Sequence, residues 1–175
     1  MQRTLTALLS VSFALSPCVY GQQRSPTLNV TDHASVQGDN KTDIQHVMEA
    51  FHQAVVAHDG GRVASLFVAE GSTWFNVLSD EAFAAARAKT PTASKVRHSS
   101  FAEFSKFVSS STSALNPQHT NVQIQSDGTI ASVYFDFVFL IDGKPENRGS
   151  ETWQLVKAAD GWKIAAITYS SNPHA

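Results

Sequence analysis

An α+β domain, with helices first and a curved antiparallel sheet wrapped over them, is the fold class this sequence predicts. Apolar residues recur at helical intervals after Thr42, whereas the last third alternates apolar with polar side chains. Three Asp-Gly pairs part that last third into runs rich in β-branched and aromatic residues. A chain of 175 residues suits one domain with a sizeable core.

The first residues differ in character from the rest. Met1-Gln2-Arg3 is a short positive start, Thr4 to Leu15 carries no charge, and Val19-Tyr20-Gly21 suits cleavage before Gln22. This pattern predicts a signal peptide over residues 1–21 and an exported product, periplasmic or secreted. The apolar run is too short for a stable membrane span. Leu15-Ser16-Pro17-Cys18 fits a lipidation box poorly, because proline precedes the cysteine. Cleavage would remove Cys18, the only cysteine, leaving neither a disulfide nor a thiol nucleophile. A net charge of −2, with no long run of either sign, argues against nucleic acid as a partner.

Residues 22–41 are polar and read as a flexible leader. Asn29-Val30-Thr31 and Asn40-Lys41-Thr42 match the glycosylation acceptor pattern, which matters in a eukaryotic source. The domain is expected over 42–172. Thr42 and Gln45 have capping-box spacing, and Ile44, Val47, Met48, Phe51 and Val55 follow as one helical stripe. Asp59 caps a short second helix carrying Val63, Leu66 and Phe67, and Gly71 stops it. Thr73 to Leu78 reads as a strand. Residues 80–97 form an excursion, with an alanine-rich stretch from Glu81 to Lys89 that Pro91 ends. It either covers a pocket mouth or is a solvated loop. Ser100 and Glu103 repeat the capping-box spacing before a third helix with Phe101, Phe104 and Val108.

Strands are expected at about 118–126, 129–141, 148–157 and 162–171, joined by Asp127-Gly128, Asp142-Gly143 and Asp160-Gly161. Three helices would then pack in the concave face of an antiparallel meander. Parity places Phe135, Phe137, Phe139, Trp153 and Leu155 on the inner face, and Glu151 with them. In the last strand it groups Trp162, Ile164, Ala166, Thr168 and Ser170. The expected pocket lining is Phe51, Val55, Phe75, Phe135, Phe137, Phe139, Trp153, Thr168 and Ser170.

Glu151 is the anomaly of this set. Burying a carboxylate unpaired costs several kcal/mol, so it is protonated, paired with a base such as Arg148, or wetted at the rim. Asp136 falls on the opposite face with Tyr134 and Val138, beside Gln154. That mixed face suits solvent or a homodimer contact. The histidines show no ligand spacing: His46 points off the helical stripe, His52 lies at its margin, and His58 is at the helix end. No metal or other cofactor is implied.

His58-Asp59, then Val63-Ala64-Ser65-Leu66-Phe67, then the closing Asp160-Gly161-Trp162-Lys163-Ile164, resemble the nuclear transport factor 2-like superfamily. This group includes SnoaL-like cyclases and ketosteroid isomerases, and the resemblance spans about Asp43 to Ser171. It implies a cystatin-like cone, an α+β barrel around an apolar pocket. Of the isomerase residues, a tyrosine is replaced by Phe51 and the proton-transferring aspartate has no counterpart near Phe75. The inward acid of the oxyanion hole corresponds to Glu151. A histidine common in the last strand of related chains is absent from Thr168-Tyr169-Ser170. Three functions follow as expectations. The first is binding of a small hydrophobic or aromatic molecule. The second is isomerase, hydrolase or dehydratase chemistry with Glu151 as acid or base, helped by His98, His119 or Tyr169. The third is an interaction module using the convex sheet face.

Overall fold

The structure is a computed structural model that describes residues 30–173, with side chains from Asn40 onward. The expected signal peptide and the first part of the leader lie outside the described residues. Four helices and six strands occur among those described: α1 (Val30–Val56), α2 (Gly60–Ser65), β1 (Thr73–Leu78), α3 (Asp80–Lys89), β2 (Val96–Ser99), α4 (Phe101–Ser110), β3 (Leu115–Ser126), β4 (Ile130–Ile141), β5 (Lys144–Ala158) and β6 (Gly161–Ser171). No helix among them is long and apolar enough to cross a membrane.

The strands form one curved sheet in the order β2-β1-β6-β5-β4-β3. β3 to β6 make the expected antiparallel meander, and β1 joins it in parallel beside β6. The hairpin chemistry is as the Asp-Gly pairs require. Asp142 and Gly143 both take positive φ, at 50° and 75°, the geometry of a tight two-residue turn that matches strand twist. α1 packs on the sheet, and α2 packs on α4. The core between them holds Ile44, Val55, Val63, Phe135, Trp153 and Ile164, each fully buried.

Local capping decides where the short helices begin. Asp59 accepts from the Arg62 backbone N–H at 2.8 Å, as its position before an apolar stripe predicts. At α4 the Ser100 hydroxyl accepts from Glu103 N at 3.2 Å and donates to the Glu103 carboxylate at 3.0 Å. α2 and α4 meet at Gly60, where a Cβ would fall 2.1 Å from the Ser105 carbonyl oxygen. Only glycine allows that approach.

Three expectations need correction. α1 is already helical at Val30, the first described residue, so residues 30–41 of the expected leader are helical and Thr42 lies inside the helix rather than at its start. The reason is Asn40, buried at 4% exposure, whose side-chain oxygen accepts from Lys157 Nζ on β5 at 3.2 Å. The helix is thereby anchored upstream of Thr42, and propagation from an anchored turn adds one hydrogen bond per residue. The same burial keeps Asn40 from serving as a glycan acceptor in the folded chain. Among the described residues helices number four, not three, because the alanine-rich stretch forms α3, capped by Ser79 and carrying no buried residue. The rest of the 80–97 excursion supplies β2, which pairs antiparallel with β1 and forms a sheet edge.

Candidate functional site

Between the helices and the sheet lies a cavity of about 170 Å³. Its apolar walls are Phe51 from α1, Phe104 from α4, Trp74 from β1, and Phe137 and Phe139 from β4. Phe51 and Phe104 stack at 5.8 Å between ring centroids, and Trp74 packs 5.1 Å from Phe104, so the rings brace one another. The polar lining is Ser99, His119, Asn147, Glu151 and Tyr169.

Glu151 faces inward, as parity requires. Its carboxylate accepts from Trp153 Nε1 at 2.5 Å, and Trp153 lies two residues along the same face of β5. Burial raises the Glu151 carboxyl to about 7, and the Trp153 bond opposes that rise only in part. The cavity therefore holds a carboxyl group that keeps its proton to far higher pH than an exposed one. Arg148 is not its partner, because Arg148 pairs with Val138 on the other face.

His119 forms the opposite wall. Its ring lies 4.6 Å from Phe135 and 6.0 Å from Trp153. Burial lowers it to about 4, with a further push from His52 and a weaker contrary pull from Glu49. It is neutral at pH 7. His119 also borders a second, open groove of about 500 Å³ between α1 and β3, where Glu49, His52 and Val122 lie. One imidazole thus separates the aromatic cavity from the outer groove. Its orientation follows from a β-bulge. Thr120 is opposite Asp136 and Gln123 opposite Tyr134, with Asn121 at φ 54° in between. Leu115, Pro117 and His119 consequently share the inner face, and the parity changes beyond the bulge.

Tyr169 completes the polar side. Burial raises its phenol above the ordinary value, as does Glu151, while the Asn76 amide and Arg97 pull it back. Its ring meets Phe137 edge-on at 5.7 Å. Among the described residues no three His, Cys, Asp or Glu side chains gather to hold a metal ion.

No family model matches the sequence, and no curated protein matches it significantly. Solved structures do match. A protein of cystatin-like fold from Novosphingobium aromaticivorans superposes with a TM-score of 0.58 at 10% identity, covering 84% of this chain and 90% of that one. A candidate scytalone dehydratase from the same organism gives 0.58 at 14% identity, covering 82% and 89%. A candidate aromatic ring hydroxylase, again from that organism, gives 0.55 at 19% identity, covering 76% and 89%. The first of these is named as nuclear transport factor 2-like, and two further neighbours share that description. This chain has the nuclear transport factor 2-like fold. At such identities the likeness establishes the fold alone.

Within this fold, the expected lining is only partly brought together. Phe51, Phe137, Phe139 and Glu151 line the cavity. Phe135, Trp153 and Val55 are fully buried behind the wall and support it instead of touching the space. Phe75 is a correction: it faces outward and packs edge-on against His98 at 5.6 Å, leaving the inner position to Trp74. A six-residue strand without strict alternation offered no parity to choose between these two rings. Thr168 and Ser170 are corrections too. Gln154 is opposite Ala166 and Leu155 opposite Ile164, so Ala165 is an extra residue that flips the face of everything after it. Ile167, Tyr169 and Ser171 point inward in their place, and Thr168 is exposed.

Two further histidines are absorbed structurally. His52 Nδ1 meets the Pro117 carbonyl at 2.7 Å, and His58 Nδ1 meets that of Val108 at 3.3 Å. On the outer face Asp136 accepts from Asn121 at 2.8 Å and from Ser150 at 2.9 Å, while Gln154 donates to Ser132 at 3.2 Å.

Proposed function

We propose that this domain binds a small aromatic molecule of single-ring size in the cavity floored by Phe137 and closed by Phe51 and Trp74. The supporting observation is the cavity itself: about 170 Å³, walled by aromatic rings, with one carboxyl group at its sheet side. An apolar cavity of about 150 Å³ accommodates benzene, so a steroid-sized guest is too large and a phenol-sized one fits. One structural neighbour carries a name from aromatic-ring chemistry, in keeping with such a guest. The pattern of residues 1–21 supports binding outside the cytoplasm.

Titration of the full chain with phenol, followed by tryptophan fluorescence, tests the reading. Saturable binding is expected, with naphthalene-sized rings excluded and Phe137→Trp blocking phenol by filling the space. Phenol binding that Phe137→Trp leaves unchanged would remove the cavity as the site.

A second reading is acid–base chemistry on the same guest. It is favoured by two groups whose environments drive them apart: Glu151 toward the neutral acid and His119 toward the neutral base. Carbon-detected titration of the Glu151 carboxyl tests it, since a group ionised near pH 4 could not donate a proton at neutral pH. The outer sheet face, with Tyr134 43% exposed beside Val138, supports a homodimer contact, which sedimentation of the Tyr134→Glu variant would test.

A further inference from the structure

Four polar side chains on the inner face of the sheet lie in one transverse row. Arg97 pairs in register with Asn76, Asn76 with Tyr169, and Tyr169 with Glu151, crossing β2, β1, β6 and β5 in turn. Directly opposed residues share a face, and at about 4.8 Å per strand the row spans roughly 14 Å. Its two ends differ. Glu151 is flanked by the fully buried Phe135 and Trp153, whereas Arg97 is exposed on the edge strand.

Arg97 has no carboxylate partner among the described residues. The ion pairs found there join Lys95 to Asp80 and Lys163 to Asp160. One step along the strands Ser99 is opposite Trp74, and both line the cavity. Trp74 is only 7% exposed, and its Nε1 is buried without a hydrogen-bond partner among the described residues. A buried donor left unsatisfied costs about 1–3 kcal/mol, which an acceptor on a guest would relieve. Ser99 and Trp74 thus give this end of the cavity a hydroxyl and an indole N–H, and Arg97, which does not itself line the cavity, stands one residue pair further along the same face. The field of Arg97 also reaches the cavity wall, because it is one of the groups holding down the Tyr169 phenol against burial.

We propose that the guest is an aromatic carboxylate, its ring between Phe137 and Trp74 and its carboxylate received at the mouth by Arg97, with Ser99 and Trp74 as further donors. This rests on the aromatic-cavity reading and narrows it. Asn76, between Arg97 and Tyr169, links the charged end of the row to the ring-binding end. A guanidinium matches a carboxylate in two parallel hydrogen bonds, which an ammonium cannot reproduce.

Calorimetry of the full chain with phenylacetate and with 2-phenylethanol at pH 6, where Glu151 keeps its proton and phenylacetate is ionised, tests the proposal, since the two probes share a ring and a chain length. Phenylacetate is expected to bind about fivefold more tightly, the upper end for an exposed ion pair. The ratio should fall toward one in Arg97→Gln, recover in part in Arg97→Lys, and shrink as salt is raised. A preference that is absent, or that persists in Arg97→Gln, overturns the anion subsite while leaving aromatic binding in place. If neither probe binds, the aromatic-cavity reading fails and the subsite fails with it.

Discussion

Replacing Glu151 with glutamine isolates the electrostatics of the cavity. The carboxyl ordinarily titrates near 4.5, and burial raises it to about 7. Below pH 4.5 it is neutral in both folded and unfolded chains, so its effect on stability is nil. Between 4.5 and 7 the unfolded chain releases the proton and the folded chain keeps it, so stability falls, and above 7 the full penalty stands. At about 1.4 kcal/mol per pH unit this amounts to roughly 3 kcal/mol. Glutamine keeps an oxygen to accept the Trp153 Nε1 bond but does not ionise. The difference between variant and wild type should therefore move by roughly 3 kcal/mol in favour of Glu151→Gln between pH 4 and pH 8.

His119 works in the opposite sense. Its folded value is lowered from 6.5 to about 4, so its contribution is complete above 6.5 and is lost as pH falls toward 4. The two slopes nearly cancel in the wild-type protein between 4.5 and 6.5, which conceals both. Subtracting wild type from Glu151→Gln removes the His119 contribution. Urea unfolding at a series of pH values from 4 to 8 provides the measurement. A difference that stays constant within about 0.5 kcal/mol, the scale of a surface substitution, would refute the burial argument.

Three further outcomes are expected. His119→Ala should open the partition between cavity and outer groove and admit a naphthalene-sized ring that wild type excludes, as fluorescence titration would show; unchanged size selection would mean another wall sets the limit. Gly60→Ala should destabilise by about 2 kcal/mol or more in urea melts, because a Cβ 2.1 Å from the Ser105 carbonyl forces α2 off α4. Ser100→Ala should cost about 1 kcal/mol by removing the cap of α4, with Ser100→Asp restoring most of it.

Much of the fold was legible because its signals are local. Asp59 and Ser100 cap the helices that their positions announce, and the Asp-Gly pairs turn where their backbone freedom allows. Alternation in β4 placed Phe135, Phe137 and Phe139 inward correctly, since that strand keeps one parity through its buried stretch. It also carried Glu151 into the interior on β5. The site was less legible. Its placement depends on two bulges, at Asn121 in β3 and at Ala165 in β6, where one extra residue reverses the inside and outside of all that follow. Nothing in the local residue pattern marks Ala165 as unpaired, because pairing is a property of two strands. The helical state of the residues just before Thr42 is another such case, anchored by Asn40 meeting Lys157 from the far end of the chain.

By itself, then, the sequence determined the α+β class, the meander, the aromatic inner face and the presence of an acid upon it. Each of these follows from periodicity or turn chemistry within a dozen neighbouring residues. Only the tertiary structure decided that Trp74 replaces Phe75, that Tyr169 replaces Thr168 and Ser170, and that His119 closes the cavity. Those choices depend on strand register, which is set by packing between segments far apart in the chain. The row from Arg97 to Glu151 belongs to the same level, for its four members come from four strands and meet only when the sheet is assembled.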